Sequence, residues 1–257
     1  MPELQVQANQ SDRLRAVLVL IATLATIAFN FMAAMGGVNN VTPATISDKY
    51  PTVLTPAGYA FSIWSLIYLG MIAFSVYQLF PSNFERLRRL RTLYIVSCVL
   101  NCAWIYVWHY DQIAMSMVVI LLLLGSLFLI VNHLRDFDST ADIWLLHAPF
   151  GIYFGWVTAA SLVNFLVLLA YLKVEFTSSM GQFVGSALIL VATLAAVAVR
   201  LKLSNYFFPL AVAWALTAIA VKQSGQTGIV VSAALGVVIC LVTTGSIVTT
   251  LKDATSE

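Results

Sequence analysis

The chain has 257 residues, of which 61% are hydrophobic and 9% charged, against roughly 25% charged in an average soluble domain. That composition excludes an ordinary water-soluble domain and identifies an integral membrane protein. A net charge of +2, with Lys and Arg scattered between apolar runs, excludes a nucleic-acid partner.

Met1 to Asp12 is polar, and residues 1–15 are expected to form an unstructured cytoplasmic segment ending in Arg13 and Arg15. The apolar run from Ala16 to about Met35 exceeds the roughly 7 to 15 residues of a signal-peptide core, so it is expected to be an uncleaved first span. Crossing a bilayer takes about 20 apolar residues. Further runs of that kind are Tyr59 to Phe80, Thr92 to Tyr110, Ala114 to His133, Ile143 to Leu172, Met180 to Arg200, Asn205 to Val221 and Gly228 to Thr249. The expected fold class is all-α, a polytopic membrane bundle of eight transmembrane helices. The fifth run is long enough to tilt, or to begin as an interfacial turn before Pro149.

With eight spans both termini share a side. That side collects Arg13, Arg15, Arg86, Arg88, Arg89, Arg91, Arg135, Arg200, Lys202 and Lys252, and the other side only Lys49, Lys173 and Lys222. The positive-inside bias then places both termini in the cytoplasm, with a bacterial inner membrane as the expected location. The Glu85 to Arg91 run reads as a topology-fixing loop, or as a binder of anionic lipid head groups. The longest connection, residues 36–58, holds Pro43, Pro51 and Pro56 with Asn39 and Asn40. It falls on the non-cytoplasmic face and reads as a lid over a cavity or as a packed loop.

Three spans carry aromatic and amide groups at helical spacing: Phe61, Trp64 and Tyr68; Asn101, Trp104 and Trp108; and Tyr153, Trp156 and Asn164. An unmatched polar group in hydrocarbon costs several kcal/mol, so these stripes are expected to face protein or a ligand. As a pocket, Trp64, Trp104 and Trp156 would stack on a flat hydrophobic molecule, while Asn101, Asn164, Tyr68 and Tyr153 would orient it. The other reading is interhelical packing and hydrogen bonding.

The last three runs are poor in aromatics and rich in small residues, with Gly181 and Gly185 as one pair and Gly228, Ser232, Gly236 and Cys240 at every fourth position. Such spacing lets helices approach closely, within this bundle or between protomers. Cys98, Cys102 and Cys240 lie in apolar runs and read as small core residues, not as disulfide or zinc ligands. His109, His133 and His147 sit near span ends and read as interfacial or hydrogen-bonded groups. No catalytic residue, metal ligand or obligatory cofactor is assigned, and no enzymatic activity is expected.

Phe61 with Trp64-Ser-Leu-Ile-Tyr68, then Leu100-Asn101-Cys-Ala-Trp104, then Tyr153, Trp156 and Asn164 resemble, in order, three motifs of the tryptophan-rich sensory protein family, also called the TspO/MBR or translocator protein family. The resemblance covers about Ala16 to Leu172. Two features depart from it: the loop Lys49-Tyr-Pro-Thr-Val-Leu-Thr-Pro56 lacks the family's Trp and Pro pair, and Ile152 stands where that family has proline. The resemblance implies a five-helix bundle, residues 16–172, followed by a three-helix extension and short tail, residues 173–257. It implies binding of porphyrins, haem-like tetrapyrroles, sterols or isoprenoid-like compounds in a cavity, often in a homodimer, with transport, sensing or photo-oxidative pigment breakdown as proposed roles. A bound porphyrin or haem is the cofactor it suggests; membrane lipids and a hydrophobic small molecule are the partners. An accessory subunit of a larger membrane complex, docking through the Gly and Ser stripes, and a membrane enzyme degrading a bound tetrapyrrole are the alternative functions.

Overall fold

The computed structural model describes residues 2–245, with side chains from Ser11 onward. In chain order the helices are α1 (Pro2–Ala34), the short α2 (Pro43–Lys49), α3 (Ile63–Tyr77, reached through a 3₁₀ turn at Gly58–Ser62), α4 (Arg88–His109), α5 (Ile113–His133), the single turn α6 (Thr140–Asp142), α7 (Ala148–Tyr171), α8 (Ser178–Leu203), α9 (Phe208–Lys222) and α10 (Thr227–Gly245). The described residues contain no β-strand, only an isolated bridge between Val38 and Val41. The end of the expected eighth span, the C-terminal tail and Lys252 lie outside the described residues.

Among the described residues, seven helices are long and apolar enough to cross a membrane. The seventh expected span, α9, has 15 residues, about 22 Å at 1.5 Å per residue, short of the roughly 30 Å hydrocarbon layer. Its two ends nevertheless reach opposite faces of the bundle. Just before it, Asn205 donates from Nδ2 to the His147 carbonyl at 3.0 Å, and Asn205 Oδ1 accepts the first free N–H groups, those of Phe207 and Phe208, both at 3.0 Å. At its far end the Ala57 N–H donates to the Ala218 carbonyl at 3.0 Å, and Lys222 pairs with Asp48 at 3.2 Å. Residues 51–57 fold down over that end and make up the missing length, with Gln223 Nε2 donating to the Thr52 and Thr55 carbonyls. Among the described residues, α9 thus joins the seven longer helices in running between two faces, a cover face bearing residues 36–62 and a basic face opposite.

One local expectation is corrected and a second is made specific. Helix α1 begins at Pro2, not near Ala16: proline suits a first helical position, and no glycine or proline interrupts Glu3 to Asp12. The fifth span starts with a π-helical turn at Ile143–His147 running into α7. Pro149 has no N–H to continue the regular ladder, and a wider turn is the usual adjustment.

The basic face carries nine of the twelve described Lys and Arg residues, yet much of the Glu85 to Arg91 run is engaged internally. Arg86 pairs with buried Asp142, which also accepts from Ser139 Oγ at 2.6 Å and the Tyr77 hydroxyl at 3.0 Å. Arg88 pairs with buried Asp12. Arg91, fully buried, donates from Nε to Gln78 Oε1 at 2.7 Å and lies 4.4 Å over the Phe84 ring. His109 and His147 donate to the carbonyls of Ile105 and Phe137, each at 2.7 Å.

The small residues are filled from within the chain. A Cβ on Gly185 would stand 2.7 Å from both Val53 and Ile229, and one on Gly181 would meet Val53 at 3.6 Å. This pair thus receives Val53, from the tip of the cover. Gly236 fits against Leu216 and Thr193, and Gly228 against Gln182; Ser232 is half-buried beside a groove between α8 and α10. The tightest approach is elsewhere, on α7. Gly155 sits where a Cβ would be 2.5 Å from the Phe208 carbonyl and 2.9 Å from Ala211, and Gly151 faces the Asn205 amide. Helix α9 lies in the notch they leave, and one hydrophobic core runs from Val19 to Cys240.

Candidate functional site

The three aromatic stripes point inward, and amides tie them together. Trp104 Nε1 on α4 donates to Asn164 Oδ1 on α7 at 3.1 Å, and Asn164 Nδ2 donates to Ser116 Oγ on α5 at 3.1 Å. Asn30 on α1 donates to Asn101 Oδ1 on α4 at 2.7 Å. A turn or two along the same face of α1, Thr23 lies 2.6 Å from both the Ser75 and Tyr94 hydroxyls. Asn30 and Ser116 did not stand out in the sequence reading. The signal was available for Asn30: Thr23, Thr26 and Asn30 recur every three or four residues in an otherwise apolar run, the period of one helix face.

The expected pocket residues are brought together around two voids, not one. An inner chamber of about 40 Å³ is bordered by Phe61, Trp104, Trp108, Trp156 and Asn164, with Ala159, Ala160, Ala215 and Ile219 behind them and Ser47 and Pro56 of the cover above. An outer cleft of about 380 Å³ lies between α1 and α3 beside α2, bordered by Phe61, Trp64 and Tyr68 together with Asn30, Ile27, Phe31 and Ile105. Phe61 is common to both. Its ring meets Trp156 edge-on at 6.0 Å, while Trp64 stacks on Tyr68 at 5.6 Å and meets Tyr153 edge-on at 5.8 Å. Asn101 and Tyr153 border neither void; both are buried, Tyr153 edge-on against Trp64 and Asn101 against Asn30.

The 36–58 segment is fastened on several sides. Thr42 caps α2 in a reciprocal capping box with Thr45, two otherwise free N–H groups satisfied at once. Trp108 Nε1 donates to the Pro43 carbonyl at 3.2 Å and Asn39 Nδ2 to the His109 carbonyl at 2.8 Å. Lys49 and the Tyr50 hydroxyl both donate to Asp111. That hydrogen bond raises the Lys49 ammonium above its ordinary 10.5, and partial burial raises the Tyr50 phenol.

Two residues that border the inner chamber carry a buried polar atom without a hydrogen-bond partner, Ser47 Oγ and Trp156 Nε1. Interiors ordinarily satisfy such groups. Both spaces are lined mainly by apolar and aromatic side chains, and no Asp, Glu, His, Lys or Arg is among the residues that border them.

A family model described as TSPO-like protein matches residues 16–247. The chain belongs to the TSPO-like family. The match takes in the last three helices as well as the first five, in keeping with the way α9 packs into α7. No curated protein and no solved structure matches the chain.

Proposed function

We propose that this TSPO-like membrane protein is a receptor or carrier for a hydrophobic, largely planar ligand of the tetrapyrrole, sterol or isoprenoid type. The ligand's body occupies the outer cleft between α1 and α3, against Trp64 and Tyr68. The supporting observation is the cleft itself: about 380 Å³, lined by aromatic rings beside a buried amide, within the roughly 300–1,000 Å³ range of ligand pockets. The inner chamber is too small for a ring system, so Trp104 and Trp156 act as its far wall and do not stack on the same face of the ligand as Trp64. The ligand is bound, not chemically changed, in this reading. With the basic face cytoplasmic, the cleft opens toward the non-cytoplasmic half of the membrane, in a bacterial inner membrane.

Titration of the purified chain with protoporphyrin, followed by tryptophan fluorescence, tests this. Saturable quenching is expected, weakened about tenfold by Trp64→Ala, a loss of about 1.4 kcal/mol. Unchanged affinity in both Trp64→Ala and Tyr68→Ala would remove the cleft from consideration.

A further inference from the structure

A third cavity lies apart from the two beside the aromatic stripes. It opens on the cover face, where α7 ends and α8 and α10 begin, and at about 510 Å³ it is larger than the cleft. Thr52 and Val53 of the cover border it, with Phe176 of the α7–α8 connection, Thr177 and Ser178 at the start of α8, and Gln226 just ahead of α10. Its cover wall is held from two directions. Val53 rests in the notch at Gly185, beside Ile229. Gln226 Nε2 donates to Gln223 Oε1 at 2.9 Å, and Gln223 Nε2 donates to the Thr52 and Thr55 carbonyls at 3.0 and 3.1 Å. The space is therefore formed in advance, and its size falls within the roughly 300–1,000 Å³ of small-molecule sites.

Its lining defines the guest. Leu166, Val184 and the Phe176 ring, which is 40% exposed, offer apolar surface, and an aromatic ring gains further by meeting another. Thr52, Thr177, Ser178 and Gln226 offer hydroxyl and amide groups that can both donate and accept. Thr177 and Ser178 are exposed and Thr52 and Gln226 half-buried, so none of the four is sealed away. No Asp, Glu, His, Lys or Arg borders the cavity. An ion that entered would shed water without a counter-charge in return, so the lining suits an uncharged molecule with an apolar ring at one end and hydroxyls at the other.

We propose that this cavity is a second binding site, for an uncharged amphiphile whose ring lies on Phe176 and whose hydroxyls bond Thr52, Ser178 and Gln226, and that its occupancy holds the cover seated. One segment joins the three voids. Thr42 and Pro43 border the cleft, Ser47 and Pro56 the inner chamber, and Thr52 and Val53 this cavity. A molecule packed against Thr52 and Val53 binds the seated cover better than a lifted one, and a ligand shifts an equilibrium by that difference in affinity. The site stands independently of the cleft; its effect on a cleft ligand rests on the reading above.

Fluorescence polarisation of methylumbelliferyl glucoside, a neutral aromatic glycoside, with the full chain in lipid nanodiscs tests the site. Saturable binding absent from empty nanodiscs is expected, with the matching glucuronide, which carries a carboxylate, about tenfold weaker. Phe176→Ala, at an exposed position in a connection, and Ala170→Phe, which fills the cavity, should each weaken the glucoside about tenfold. No saturable binding to the unmodified chain, equal binding of glucoside and glucuronide, or unchanged affinity in both variants would overturn the site. The cover is read separately. A spin label at Thr45 should lose mobility as the glucoside saturates, with no porphyrin present, and unchanged mobility would overturn the control of the cover. Saturating glucoside should also raise protoporphyrin affinity about fivefold, the low end of coupling between sites, and protoporphyrin should raise glucoside affinity by the same factor. An unshifted porphyrin affinity would overturn the coupling. A chain that binds the glucoside but never protoporphyrin would remove the cleft reading and leave this site standing.

Discussion

Helix α7 divides two regions packed by opposite means. Toward α3, α4 and α5 it presents Tyr153, Trp156 and Asn164, and large rings meeting at 5 to 6 Å leave two voids and several unmatched polar atoms. Toward α9 it presents Gly151 and Gly155, and the backbones close until a methyl group would not fit. Among the described residues, none of the buried polar side-chain atoms without a partner belongs to α8, α9 or α10. Where apolar surface meets apolar surface in a membrane, small residues give the closest contact and van der Waals packing holds it. Rings with polar edges pack less completely and leave hydrogen-bonding capacity over. The second kind of region is suited to a guest and the first to holding the second in shape.

The comparison can be broken most sharply at Gly155. Gly155→Leu would drive α9 off α7 and is expected to destabilise the protein by about 3 kcal/mol, the upper end for an overpacked core, read as lost midpoint in thermal unfolding in mild detergent. Gly125→Ala, at a helical glycine with nothing within 4 Å, should instead raise stability by about 0.5–1 kcal/mol. Equal losses at the two positions would show that the α7–α9 notch is not special. On the aromatic side, Asn164→Leu keeps the bulk but strands the Trp104 indole. A loss of about 2 kcal/mol is expected in the same unfolding experiment, and no loss would mean that the amide bridge contributes nothing.

Much of this division was legible in the residues. The aromatic stripes lie at helical spacing, and tryptophan and asparagine inside apolar runs have few tolerable positions other than inward ones. The small-residue stripes were legible as close-packing positions, but their occupant was not. Val53 reaches Gly185 only because α9 is short and the cover folds down over its end, a consequence of three-dimensional path that no local pattern encodes. Gly151 and Gly155 were overshadowed by the Tyr153 and Trp156 that flank them, although four-residue spacing was there to read. The split of one expected pocket into two voids was also out of reach, because it depends on where the single ring of Phe61 comes to rest. Ser47 carries no pattern of its own, because its segment becomes a helix only with the capping box of Thr42 and Thr45.

The smallest expected effect concerns the cover. Lys49 is exposed and its pKa lies above 10.5 because the charged form donates to Asp111. A raised value favours the protonated form in the folded protein, so this contribution is complete below pH 10.5 and is lost as the pH rises through the folded-state value. Tyr50, also raised, acts in the same direction. A spin label at Thr45 should therefore keep its mobility unchanged up to about pH 10 and gain mobility above it, with Asp111→Asn mobile at every pH. Identical profiles for the two would show that this pair does not hold the cover.

Photo-crosslinking tests the central claim most directly, with a diazirine-bearing isoprenoid alcohol bound to the full chain in nanodiscs and the adducts mapped by mass spectrometry. Adducts concentrated at residues 27–34 and 58–68, and competed away by unlabelled alcohol, are the expected result. Adducts spread over the outward faces of α8 and α10, or undiminished by competitor, would contradict it and leave the aromatic side as packing alone.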